Sequence, residues 1–217
     1  MRRLIALLMF ATSCNGSAQQ RAADTRLPDC EACGAAEAPA GLTATMTIAP
    51  PEEPGERLII RGTVYQPDGR RPAAGVLMYA YHTNAAGAYA RRGGERGNAQ
   101  RHGYLRGWLL TDSLGRYTIH TIRPAAYPSA TEPQHVHVTL TPPGGRERWV
   151  ESTLFADDPL LPERLPRGHP ADAIVRVERQ AGDTLLARRD FVLDASGRRE
   201  IGDFVLKAEA RDNRDPR

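Results

Sequence analysis

Short alternating runs dominate this chain. Apolar and polar residues alternate over Leu42–Ile48, Leu58–Val64, Val76–Tyr81, Tyr104–Thr111, Arg116–Ile122, His135–Thr141 and Trp149–Phe155, and again over Ile174–Glu178, Asp183–Ala187, Arg189–Leu193 and Ile201–Leu206. A period of two sends successive side chains to opposite faces, the pattern of a half-buried strand. Turn residues separate the runs at Pro67-Asp68-Gly69, Asp112-Ser113-Leu114-Gly115, Pro142-Pro143-Gly144-Gly145 and Ala195-Ser196-Gly197. Many short strands with frequent turns predict an all-β fold, an antiparallel β-sandwich. No long amphipathic helix is visible, and Asp157–Pro170, with four prolines, predicts a loop or one short helical turn.

The ends of the chain lack this pattern. Arg2-Arg3 precede the apolar run Leu4–Ala11, and the small residues Ala11-Thr12-Ser13 lead into Cys14. This is the layout of a bacterial lipoprotein signal, with residues 1–13 removed, Cys14 lipidated and the product outside the cytoplasm. An ordinary exported form, cut after Ser13 or Ala18, is the alternative. Residues 14–40 are rich in Ala, Gly, Ser, Gln and Pro and predict a tether. Residues 41–207 would then form the sandwich, and 208–217 a polar, frayed tail. Of the three cysteines, Cys30 and Cys33 remain as a C-x-x-C pair once Cys14 is set aside. In an oxidising compartment a disulfide is the first expectation, half a metal site the second and a redox centre the third.

Charge narrows the function classes. A net charge of +3, from arginines scattered along the chain, gives no nucleic-acid footprint. Arg70-Arg71, Arg91-Arg92 and Arg188-Arg189 read as solvated pairs. The chemistry concentrates in His135-Val136-His137, whose two imidazoles share one strand face and lie close enough, roughly 6–7 Å between Cβ atoms, to reach one metal ion. Tyr127 stands eight residues before His135, and Tyr89 further upstream. Tyr65, Tyr79, Tyr81 and Tyr117 fall in strand patterns and predict core or rim. His82, His102, His120 and His169 predict surface or supporting positions.

The order of short motifs carries more than any one of them. Gly62-Thr63-Val64 is followed by Pro67-Asp68-Gly69 and Pro72-Ala73-Ala74-Gly75-Val76, then by Ala85-Ala86-Gly87-Ala88-Tyr89. Leu105-Arg106-Gly107-Trp108 follows, with Thr111-Asp112 and Gly115-Arg116-Tyr117, then Thr121-Ile122-Arg123-Pro124-Ala125-Ala126-Tyr127-Pro128 and His135-Val136-His137. This series resembles the intradiol ring-cleavage dioxygenases, the catechol and protocatechuate dioxygenases. The exported start is similar to an extracytoplasmic branch of that family.

The resemblance implies a non-haem iron(III) site with Tyr89, Tyr127, His135 and His137 as ligands. It implies a small aromatic diol and O₂ as substrates, Tyr127 as the ligand displaced when the diol binds, and Arg106 as a cation beside the reaction. Two phenolates and two neutral imidazoles suit a ferric ion. Membrane attachment would be by the lipid anchor alone. The chain departs from the family's R-P-A-H-x-H at Glu132-Pro133-Gln134-His135, where an arginine gives way to Glu132. It departs again at Glu151-Ser152-Thr153, where many members have a glutamine. Two rivals to an enzyme are a non-catalytic iron- or catechol-binding protein and a metal-free, transthyretin-like binding module. The sandwich grammar serves all three readings, but the metal-free module has no use for the four ligand-type residues.

Overall fold

The computed structural model describes residues 32–193. Cys14, Cys30 and the strand expected over Ile201–Leu206 lie outside the described residues. Two β-sheets pack face to face around one apolar core. The first is built from β1 (Thr45–Thr47), β2 (Arg57–Tyr65), β5 (Arg116–Ile122), β9 (Val177–Arg179), β10 (Leu185–Arg188) and β11 (Phe191–Val192). The second is built from β3 (Leu77–Tyr81), β4 (Arg106–Leu110), β6 (His135–Thr141), β7 (Arg148–Phe155) and β8 (Ile174–Val175). Their orders are β1-β5-β2-β10-β9, with β11 also on β2, and β4-β3-β6-β7-β8.

The expected sandwich is present, with one addition. The long neighbours pair antiparallel: β2 with β5, β3 with β4 and β6, and β6 with β7. Short strands add to them in parallel: β1 on β5, β10 and β11 on β2, and β8 on β7. Parallel partners need long connections, so their direction is set by tertiary packing and not by a local turn. The two short α-helices among the described residues are α1 (Ala99–His102) and α2 (Leu161–Arg164), the second inside the proline-rich stretch.

Period-two alternation sorts each strand. Leu58, Ile60 and Val64 of β2, Tyr117 and Ile119 of β5, Met78 and Ala80 of β3, Leu109 of β4, and Val136, Val138 and Leu140 of β6 form the shared core. Gly107 of β4 lets the sheets meet there, since a Cβ at that position would come within 3.1 Å of Met46 Sδ. The other face of the second sheet presents Tyr79 and Tyr81, Arg106 and Trp108, and His135, His137 and Thr139. Register confirms this, because Tyr81 stands opposite Arg106 on one side and His137 on the other.

That outer face is covered by chain from two places. One cover is the segment between β3 and β4 that includes α1. The other is the stretch expected to be tether. Over residues 33–37 it is docked: Ala35–Glu37 form a 3₁₀ turn. Glu147 accepts the N–H groups of Gly34 and Ala35 at 2.8 and 3.0 Å. Trp108 Nε1–H donates to Gly34 O at 2.7 Å, and Asn98 Nδ2–H donates to Cys33 O. Composition alone could not show this, because Glu147 lies more than 110 positions away. Cys33 is disulfide-bonded. Arg189, expected in a solvated pair, is buried, donating to Thr153 Oγ1 and Glu151 O at 2.6 Å each.

Candidate metal centre

Tyr89, Tyr127, His135 and His137 converge at one end of β6. Each is brought there by a different local device. Tyr89 ends a tight loop in which Asn84 Oδ1 accepts the N–H groups of Ala86 and Ala88, both at 3.0 Å. The loop presses on the Tyr127 segment at Gly87, which has φ 74°, and a Cβ there would sit 2.1 Å from Ala126 O. Only glycine tolerates both the left-handed backbone and that approach. Tyr127 opens a turn closed by Ala130 N–H donating to its carbonyl at 2.8 Å. His135 and His137 share the outer face of β6, as alternation requires.

The four donor atoms form a closed ring. Tyr89 Oη lies 2.8 Å from Tyr127 Oη, and Tyr127 Oη lies 3.2 Å from His135 Nε2. His135 Nε2 lies 3.0 Å from His137 Nε2, which lies 3.0 Å from Tyr89 Oη. A square with edges of this length has its centre about 2.1 Å from each corner, the bond length of a first-row cation to imidazole nitrogen or oxygen. The donor types fit as well. His135 Nδ1–H donates to Pro133 O at 2.7 Å, which leaves Nε2 with its lone pair facing the ring. Burial holds the His137 imidazole well below its ordinary pKa, with the neighbouring His135 second, so it is neutral. Burial, and then Tyr127 and Tyr81, push the Tyr89 phenol far above its usual range, so an ionised Tyr89 needs a cation beside it. His135 is buried while the other three are half-buried, so one side of the ring is open. Among the described residues no group of three His, Cys, Asp or Glu side chains is placed to hold a metal.

Behind the ring stand residues whose contacts the sequence did not reveal. The register between β6 and β7 slips between Val136 and Val138, leaving one extra residue on β7 opposite His137. Such a bulge re-aims a side chain, and here it puts Ser152 Oγ 3.1 Å from His137 Nδ1. Tyr81, predicted as core or rim, stacks on His137 at 4.6 Å between ring centroids. Its other face stacks on His102 at 3.6 Å, and His102 Nδ1 lies 2.6 Å from Tyr79 Oη. His82 is also buried, held between Thr83 O and Thr121 Oγ1. A histidine in a short loop helix carries no local mark of such packing, so only the fold reveals it.

Arg106 is the expected site residue that the fold does not bring to the ring. It lies two strands from His137, roughly 10 Å between backbones, with Tyr81 between them. Its Nη1 pairs with Glu37 Oε2 at 2.5 Å, and its guanidinium lies 4.8 Å over the Trp108 ring. Its charge is neutralised by the docked N-terminal segment. That partner lies 69 positions away and was hidden inside the presumed tether.

Comparison with known proteins gives the family of the chain. A family model described as Dioxygenase matches residues 34–208. The protocatechuate 3,4-dioxygenase beta chain of Burkholderia cepacia is 34% identical over 113 residues, 49% of this chain and 48% of that protein. Catechol 1,2-dioxygenase 1 of Acinetobacter lwoffii is 28% identical over 152 residues, 63% of this chain and 48% of that protein. This chain therefore spans about half the length of these relatives. Among solved structures, the dioxygenase domain of a dioxygenase–carbohydrate-binding fusion from Streptomyces sp. SirexAA-E superposes with a TM-score of 0.57 and 26% identity, covering 68% of this chain and 86% of that one.

Proposed function

This chain belongs to the dioxygenase family, and we propose that it is an intradiol ring-cleavage enzyme that opens a catechol-type diol with O₂. In this reading Tyr89, Tyr127, His135 and His137 hold one ferric ion, which when bound draws electron density from the diol and makes its ring reactive to O₂. The observation that carries the reading is the closed ring of two phenol oxygens and two imidazole nitrogens, with edges of 2.8 to 3.2 Å.

The protein's own part follows from how each donor is held. His135 is fixed by Pro133 O and His137 by Ser152 and the Tyr81 ring. These two are the stationary corners, positioned before the substrate arrives. Tyr89 is anchored by the Asn84 loop and by Gly87. Tyr127 opens a turn, and the family resemblance implies that it is the corner that yields. It swings out as the diol enters, and its Oη takes up one of the protons the diol loses. The open side of the ring admits the diol, while the aromatic floor of Tyr81 and His102 keeps water from behind.

Oxygen uptake tests this. Protein loaded with ferric iron should consume one O₂ per catechol and accumulate the ring-opened dicarboxylate. Protein that binds iron and catechol but consumes no O₂ would be a binding protein instead. We also propose that Cys14 is the lipid attachment point, on the strength of Ala11-Thr12-Ser13-Cys14 after an apolar run. Cys14→Ala should move the protein from the membrane to the soluble exported fraction, since acyl burial supplies the affinity. Unchanged fractionation would contradict this.

A further inference from the structure

A carboxylate stands beside the donor ring. Glu132 lies on the connection from Tyr127 to β6, and its Oε2 is 3.9 Å from His135 Nε2. The side chain is 56% exposed, so it belongs to the rim and not to the floor. Its place is held by the chain around it. Ala130 N–H closes the Tyr127 turn, Ala130 itself takes φ 50°, Ser129 and Thr131 hydroxyls meet at 3.0 Å, and Pro133 is buried immediately after it. The charge is felt across the ring, because Glu132 is among the groups acting on Tyr89 at the opposite corner. Two arginines on neighbouring segments are neutralised elsewhere. Arg123 pairs with Asp157 through two contacts at 2.7 and 2.8 Å, and Arg106 pairs with Glu37.

We propose that Glu132 sets the substrate class of this site: it admits diols whose ring substituents are neutral or cationic and disfavours those bearing a carboxylate. The inference rests on the functional reading above, because it places the diol at the donor ring. A substituent on a diol held there lies within about one Debye length, ~8 Å, of the Glu132 carboxylate. A second anion at that range is repelled, and a protonated amine is attracted. Exposure weakens the effect, so the discrimination is about 3-fold and not the far larger value of a buried pair. Family membership does not imply this preference, because one of the relatives is named for protocatechuate, a catechol carboxylate.

The test compares iron-loaded wild type with Glu132→Gln. Dissociation constants are measured anaerobically by calorimetry for catechol, 3,4-dihydroxybenzoate and dopamine, at low and high salt. In the variant, 3,4-dihydroxybenzoate should bind about 3-fold tighter and dopamine about 3-fold weaker, with catechol changing least. These shifts should shrink at high salt, and Glu132→Lys should extend them in the same direction. Constants that stay the same, or that move together for all three ligands with iron content unchanged, overturn the proposal. Wild-type protein that retains no ferric iron overturns the functional reading and this inference with it, and metal analysis tells the two failures apart.

Discussion

The two faces of β6 are made from one seven-residue strand and obey different rules. Inward, Val136, Val138 and Leu140 join a core shared by both sheets. Nothing there depends on a particular atom, and any side chain of similar volume serves. Outward, His135, His137 and Thr139 each depend on one partner. His135 needs Pro133 O, His137 needs Ser152 Oγ, and Thr139 Oγ1 donates to Glu147 Oε1 at 2.5 Å. The inner face makes the strand stay. The outer face makes it useful, and its accuracy comes from residues scattered over the rest of the chain.

Mutations on the two faces should therefore fail in different ways. Leu140→Ala leaves a hole in the core and should cost about 2–5 kcal/mol of stability. The molecules that remain folded should bind iron as before, so thermal unfolding changes and metal content per folded molecule does not. His137→Ala should do the reverse. It removes a corner of the ring and should lower ferric affinity by more than ~100-fold, beyond the loss seen when only a supporting residue is removed. Its circular dichroism should match wild type. Equal iron loss in both variants would show that the faces are not independent. Ser152→Ala sharpens the comparison further. It leaves every ligand in place but frees the far side of His137, and should weaken iron roughly 10-fold. No change in affinity would mean that the Tyr81 ring alone orients the imidazole.

The same division explains what could be read in the sequence. Alternation placed β2, β5, β6 and β7 to within a residue or so, because burial of one face imposes period two on the chain. It also put His135 and His137 on one side, and motif order brought in Tyr89 and Tyr127 from their loops. The contacts of the supporting groups left no such trace. Ser152 meets His137 because of a bulge, and a single extra residue in a strand has no signature of its own. The docking of Gly34 and Ala35 depends on Glu147, and the fate of Arg106 depends on Glu37, both in sequence-distant pairs. A small polar stretch looks like a tether until its partner is known. Glu132 was legible as a charge in an unusual place, but the 3.9 Å to His135 Nε2 came only from the fold.

The claim at the centre is that two histidines from this outer face and two tyrosines from neighbouring loops hold one ferric ion. The visible absorption spectrum of ferric-loaded protein tests it most directly, because a tyrosinate bound to iron(III) produces a charge-transfer band that neither free iron nor free tyrosine shows. The account predicts one iron per chain and such a band in wild type and Leu140→Ala. In Tyr89→Phe the band should be diminished and shifted, and in the Tyr89→Phe/Tyr127→Phe double variant it should be absent. A colourless wild-type protein after ferric loading, or a band that persists in the double variant, would contradict it.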